Sequence, residues 1–292
     1  MPGLEHLTLL RVSPCDLVSV AAEAGFTAVG LRISPVTDGE QPWPVRPGSA
    51  LLAETVRRCA DTGVTVLGVE GIRLSHRPAD YLPVLESAAE LGARYVNAIC
   101  EDPDQARLSD TFAGLVEAAA PYRVRPLIEF MAYRSVATLK DAVTIAASSG
   151  GGGILVDALH VQRCGVALAD LHAVDRGLLS YLQLCDAPLA APADQIREAR
   201  GDRLLPGDGE LPLRDLLAAL PADIPVTVEA PSPAGGETPS EFAARARLAL
   251  GSVLSHPQRS DHNARTARGP RSDQALRRGP SAARRHVARG RR

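Results

Sequence analysis

The sequence predicts a (β/α)8 TIM barrel, an α/β fold, over residues 1–256, with a disordered basic tail over 257–292. Three observations predict it. Eight short runs rich in Val, Ile and Leu alternate with helical segments over about 255 residues, the size of such a barrel. Each of the last four runs carries one polar residue near its carboxyl end, as expected of parallel strands buried on both faces. The first run is followed by RVSPCD, not by the glycine-rich phosphate loop that a doubly wound open sheet would place there.

Taken in order, HLTLL (6–10) reads as the first strand. Ser13 then caps a helix through DLVSVAAEAG, which Gly25 stops. AVGLRI (28–33) is the second strand, followed by a loop with Trp43 and four prolines and by the helix SALLAETVRRCADTG. VTVLGVEGI (64–72) and RYVNAIC (94–100) are the third and fourth strands, each followed by a helix, ADYLPVLESAAELG and SDTFAGLVEAAAPY. RPLIEF, GGILVD, LSYLQLCD and IPVTVEA are strands five to eight. SVATLKDAVTIAASS, ALADLHAVD and LPLRDLLAALP lie between them, and ETPSEFAARARLALGSVL closes the barrel. The GGGG stretch (150–153) precedes a strand and opens no helix, so it reads as a tight turn.

Composition narrows the class. At 45% hydrophobic but only 3% aromatic residues, the core must be mainly Leu, Val, Ala and Ile. No run of 18 apolar residues exists, so no membrane span is expected, and MPGLEHLTLL lacks the pattern of a signal peptide. Cys15, Cys59, Cys100, Cys164 and Cys185 are scattered without a CxxC pair and read as reduced thiols in a cytoplasmic protein. The net charge of −2 hides an asymmetry: from Arg259 onward, eleven arginines face two acids, which leaves −11 on the remainder. An acidic body argues against nucleic acid as the partner of the whole chain, and the tail reads as a solvated extension.

The strand-end residues are Glu129, Asp157, Gln183 and Glu229, one on each of strands five to eight. A barrel collects such positions on its active face. Three carboxylates and an amide oxygen suit a hard divalent ion. Any one carboxylate alone is equally well explained by a buried ion pair with arginine. Four on successive strands, spaced by 28, 26 and 46 residues, are not.

VDALH (Asp157 and His160), LQLCD and RLLPGDGELPL (203–213) resemble the sugar phosphate isomerase/epimerase family, the xylose-isomerase-like barrels, from residue 6 to about 254. In that family Glu, Asp, His and Glu from the last four strands hold a metal. The resemblance carries Glu129, Asp157 and Glu229 across as ligands and implies His160 and Arg203 as substrate contacts. Gln183 stands where the family has His. It still offers an oxygen, which favours Mn2+ or Mg2+, with Co2+ and Zn2+ as further candidates. The 3-dehydroshikimate dehydratase branch resembles this chain in using Gln there.

A divalent ion chelating a carbonyl and its neighbouring hydroxyl acidifies the adjacent C–H, and two carboxylates can then take and return the proton. The resemblance gives Glu129 and Glu229 those catalytic roles. The expected substrate is a small polyhydroxylated carbonyl compound, the outcome an isomer or epimer, and the alternative a dehydration by a lyase. Arg32 either holds a substrate anion or pairs with Glu70, and both are candidate substrate-binding residues. Trp43 either walls the pocket or simply packs. Asp186 is expected to orient the loop after strand seven, Cys100 and Cys185 to sit in the core, and His76 and His172 to lie on the surface; His6 is left undecided between the site and the barrel floor. Barrels of this type often pair, so a homodimer is compatible with the reading. A histidine-rich three-metal endonuclease on the same barrel is disfavoured, since the body has too few histidines.

Overall fold

The computed structural model describes residues 1–255 apart from 38, 42, 75, 76, 78, 79 and 232–235. The basic tail and His76 lie outside the described residues. Eight parallel strands close into a barrel in sequence order: β1 (Pro2–Glu5), β2 (Ala28–Arg32), β3 (Thr65–Arg73), β4 (Tyr95–Ile99), β5 (Arg125–Glu129), β6 (Gly153–Asp157), β7 (Leu179–Leu184) and β8 (Val226–Val228). The helices are α1 (Pro14–Glu23), α2 (Ala50–Thr62), α3 (Leu82–Glu90), α4 (Gln105–Ala119), α5 (Leu139–Ser148), α6 (Ala158–Arg163), α7 (Leu168–His172), α8 (Gln195–Gly201), α9 (Leu213–Ala219) and α10 (Pro239–Leu254). None of them is long and apolar enough to cross a membrane.

Local chemistry sets most boundaries. Ser13, Ser49 and Thr138 accept a backbone N–H from three residues ahead, which satisfies donors that a helix start leaves open. Thr238 and Glu241 form a reciprocal capping box at the start of α10. Gly25 follows α1 at φ +81°, a left-handed conformation that a side chain would strain, and so ends the helix.

The first strand departs from the sequence expectation. β1 is Pro2–Glu5, and residues 6–9 form a 3-10 turn. The barrel register explains the shift: β1 pairs Gly3 with Ala28 and Thr227, and its pairing with β2 ends at Glu5 opposite Gly30. Beyond it, the His6 ring accepts from the Arg32 backbone N–H at 3.1 Å and lies 2.8 Å from the Val12 carbonyl, which draws the chain out of the sheet. Two helices also go beyond the expected set. α6 begins directly at the end of β6, and α8 forms within the long connection after β7.

Apolar side chains fill two regions. The larger lies between the strands and the surrounding helices, and includes Leu17, Phe112, Ile154 and Leu250. The smaller is a layer inside the barrel made by Ala28, Leu67, Tyr95, Leu127, Leu155 and Tyr181.

Candidate active site

The site stands on that inner layer. Side chains two residues apart on a strand point to the same face, with the second about 6.6 Å further along. Two positions beyond Tyr95, Leu127, Leu155 and Tyr181 are Asn97, Glu129, Asp157 and Gln183, and two beyond Thr227 is Glu229. Polar groups therefore cover an apolar floor at the carboxyl ends of the strands, where barrels place their chemistry. Glu5 joins them from β1 and Glu70 from β3.

Five carboxyls and two guanidiniums meet here, which is three negative charges too many for a buried site. The distances show how the excess is handled. Arg203 Nη1 lies 2.6 Å from Asp157 Oδ2 and 3.0 Å from Glu229 Oε2. Arg32 Nε donates to Glu70 Oε2 at 2.7 Å, and its Nη1 lies 3.5 Å from Glu40. Burial alone would raise Asp157 and Glu70, but the adjacent arginine outweighs it and holds each below the usual carboxylate range. The other three go the opposite way. Burial, with Glu70 nearby, pushes Glu5 up to about 8. Burial and Asp157 raise Glu129 well above its ordinary value. Burial, with Glu70, Asp157 and Glu129, raises Glu229 likewise despite Arg203. An arginine thus lies beside each of the two lowered carboxyls, and burial raises the other three.

Asp157 has a second task. Its Oδ1 accepts the backbone N–H groups of Leu159 at 2.8 Å and His160 at 3.1 Å, so the residue that ends β6 also caps α6. That cap points His160 inward. The imidazole is 2% exposed, its Nε2 is 3.6 Å from Glu129 Oε1, and burial lowers it to about 4, so it is neutral at physiological pH. Tyr133 packs edge-on against it, with ring centres 5.8 Å apart.

Two groups of side chains could each hold a cation, with one ligand atom per residue lying within 4.8 Å of the others: Glu129, Asp157 and His160, and Glu5, Glu70 and Glu229. The donor types, carboxylate oxygen and neutral imidazole nitrogen, fit a divalent metal. Glu129 and Asp157, both expected as ligands, thus lie together. Glu229 belongs to the other group. Gln183 turns its Nε2 to Glu229 Oε1 at 3.1 Å, and its own Oε1 has no hydrogen-bond partner among the described residues.

A small pocket, partly open to solvent, rises above this layer. Arg32, Glu70, Glu129, His160, Arg203 and Glu229 line it. Asp157 and Gln183 are fully covered beneath these groups. Arg32 is paired with Glu70, and both line the pocket. Trp43 donates to the Leu10 carbonyl at 3.3 Å and packs beside the core, away from the pocket lining. Asp186 accepts from Ala187, Gly207 and Leu211 backbone N–H groups and so ties down the loop after β7. Cys100 and Cys185 are buried, and burial pushes the Cys100 thiol up to about 12 and Cys185 higher still. His6 is held by backbone groups at the foot of the site, and His172 sits in the exposed α7.

Sequence reasoning missed Glu5 and Tyr133, the latter lining the pocket beside His160. Glu5 is 1% exposed, and neither of its carboxyl oxygens has a hydrogen-bond partner among the described residues. The signal was present: Glu5 ends its strand as Arg32 and Glu129 end theirs. Gly30 makes room for it, since a Cβ there would fall 1.7 Å from Glu5 Oε2.

Comparison with known proteins places this architecture. A family model described as a xylose isomerase-like TIM barrel matches residues 18–250. Among solved structures, the IolI protein with a bound zinc atom superposes with a TM-score of 0.74 at 20% identity, covering 87% of this chain and 98% of that one. D-psicose 3-epimerase in the presence of D-fructose gives 0.68 at 15% identity, over 87% and 99%. A xylose isomerase-like TIM barrel/4-hydroxyphenylpyruvate dioxygenase fusion protein gives 0.71 at 20% identity over 86% of this chain, which spans 42% of the fusion's length. At these identities the likeness establishes the fold. A search of curated proteins found no match.

Proposed function

The chain belongs to the xylose isomerase-like TIM barrel family, and we propose that it is a divalent-metal-dependent isomerase or epimerase of a small sugar or polyhydroxy ketone. The observation that carries the reading is the pairing of Glu129 and Glu229 in one pocket, both with raised carboxyl pKa. A general acid or base works best when its pKa approaches the working pH, and burial moves both groups in that direction.

Glu129 and Asp157 are the ligands we assign with the support of both the sequence and the geometry. A divalent ion held there supplies electrophilic stabilisation for charge developing on a substrate carbonyl oxygen. The protein groups do the rest. One glutamate, once ionised, takes the proton from the carbon beside the carbonyl, and the other, still protonated, returns one. Return to the opposite face of that carbon gives an epimer, and return to the neighbouring carbon gives an isomer. Arg203 keeps Asp157 ionised throughout, and Arg32 with Glu70 presents donors and acceptors to substrate hydroxyls at the pocket wall. The reading carries with it a small diffusible substrate, a cytoplasmic setting and room for a homodimer.

Turnover of a panel of ketoses and inososes in D2O with added Mn2+ or Mg2+ tests it. Deuterium should enter at the carbon next to the carbonyl, and exchange in none of them would sink the proposal.

A second reading is a dehydratase of the 3-dehydroshikimate type, favoured by Gln183 at the end of β7. There the proton leaves as above, and the β-hydroxyl departs as water by taking the proton that the protonated glutamate would otherwise return to carbon. Incubation with dehydroshikimate would then generate the ultraviolet band of protocatechuate, and its absence with metal present rejects that branch.

A further inference from the structure

We infer that a cavity at the amino-terminal rim of the barrel, on the face opposite the pocket described above, binds a compact oxyanion with two negative charges, such as the phosphate of a monoester or a short dicarboxylate. Arg94, Arg123 and Arg125 line it with Tyr95 and Tyr122, and none of its lining residues is acidic. It shares no residue with the pocket at the carboxyl ends of the strands.

The barrel brings the three arginines together. Arg94 immediately precedes β4 and Arg125 opens β5. The Arg125 backbone N–H donates to the Arg94 carbonyl at 2.9 Å, so the two backbones run side by side. Arg123 follows the 3-10 turn Ala120–Tyr122, which extends α4.

Charge singles the place out. The body carries a formal −11, yet this cavity gathers three cations and no acid. Arg125 is held by backbone alone: Nε donates to the Gly151 carbonyl at 3.0 Å, and Nη2 to those of Gly152 and Gly177 at 2.7 and 2.8 Å. These bonds fix the guanidinium without neutralising it, and leave the Nη1 donors without a partner among the described residues. Arg94 lies over the Tyr95 ring, 5.4 Å from its centre. Neither Arg94 nor Arg123 has a side-chain hydrogen bond or ion pair among the described residues. The carboxyl ends of α3 and α4 face this rim and answer part of the charge, roughly half an elementary charge each. About two positive charges remain, which a dianion matches. A guanidinium fork also fits the paired oxygens of phosphate and carboxylate.

The backbone gives an independent sign. Arg123 has φ +58°, the one positive value at a non-glycine among the described residues. After α1, α2, α3, α5 and α6 the corresponding left-handed residues are Gly25, Gly63, Gly92, Gly150 and Gly165, with φ from +64° to +81°. Folding alone favours glycine at such a position, and a side chain there is strained. An arginine kept against that preference, beside two others and the half-buried Tyr122, is explained by a ligand for its guanidinium.

The test is calorimetric titration of the full-length, metal-free protein at low salt, with inorganic phosphate and separately with malonate. The wild type should bind at least one of them. A preference for phosphate points to a monoester ligand and a preference for malonate to a dicarboxylate; either supports the site. Arg123→Gly should lower affinity by about fivefold, as expected for loss of an exposed charge-assisted contact, while the melting temperature holds or rises. Arg94→Gln with Arg123→Gly should lower affinity on the order of twentyfold. Arg200→Gln, at the opposite pocket, should leave it within about twofold of the wild type. Residues 257–292 are present in every protein, so their arginines cannot produce these differences. Both Arg94 and Arg123 are exposed, and glycine suits position 123, so neither change threatens the fold. A wild type that binds neither anion overturns the assignment. So does an affinity unchanged in both the single and the double variant, whether or not Arg200→Gln weakens it.

Discussion

Arg203 donates to Asp157 at 2.6 Å with both side chains sealed from water, 2% and 0% exposed. Removing one member of such a pair strands the other as a buried charge, at a cost of about 3–5 kcal/mol. Arg203→Met should therefore lower the unfolding free energy of the metal-free protein by about that amount in urea titrations. Saturating Mn2+ should recover part of the loss, because a second cation can then answer Asp157. A variant as stable as the wild type without metal would show that the pair does not hold the fold.

Glu129→Gln and Glu229→Gln should separate catalysis from stability. Burial raises both carboxyls well above the usual carboxylate range, so an amide of the same shape should change stability little. Loss of the proton-transfer group should lower kcat by about 10²–10⁴-fold on whichever substrate the panel identifies. Thermal melts beside steady-state rates check the pair of expectations, and a full rate in either variant removes that residue from the proton path.

Stability should fall as the metal-free protein is taken from mildly acid to mildly alkaline pH, and Glu5 should be a large part of the reason. Its carboxyl moves from an ordinary 4.5 to about 8 on folding. The folded chain thus holds a proton that the unfolded chain releases. The contribution is complete below pH 4.5 and vanishes as pH rises through about 8. Glu5→Gln cannot ionise, so its denaturation midpoint should vary less between pH 5 and 8 than that of the wild type. Parallel slopes for the two proteins would count against this account.

Gly30→Ala tests the close approach of β2 to Glu5. The added methyl would need the space of the Glu5 carboxyl, and overpacking of this kind costs about 1–3 kcal/mol. Glu5→Ala should relieve it, so the double mutant should be less destabilised than the sum of the single changes. Simple additivity in the cycle would mean that the two positions do not press on each other.

Much of the site was legible because parallel barrel strands are buried on both faces. A single Glu, Asp or Gln interrupting a run such as PLIEF or GILVD stands out against continuous apolar residues. Glu5 escaped for the same reason in reverse: β1 is only Pro2–Glu5, has Pro and Gly in it, and is followed by the more strand-like HLTLL. The helix carrying His160 was hidden because one residue serves as strand end and helix cap, leaving no linker to mark the boundary. The partners of Arg203 could not be read at all. Asp157 and Glu229 lie 46 and 26 residues away, and only the closure of the barrel brings them together.

The double duty of Asp157 makes α6 a sentinel for the chemistry. Fraying of its first turn would release the two amides that fix the carboxylate and swing His160 away from Glu129, so a local opening far smaller than unfolding would silence the pocket. The exchange rates of the Leu159 and His160 amide hydrogens therefore serve as a gauge of how much of the population is competent at any moment, readable without a substrate.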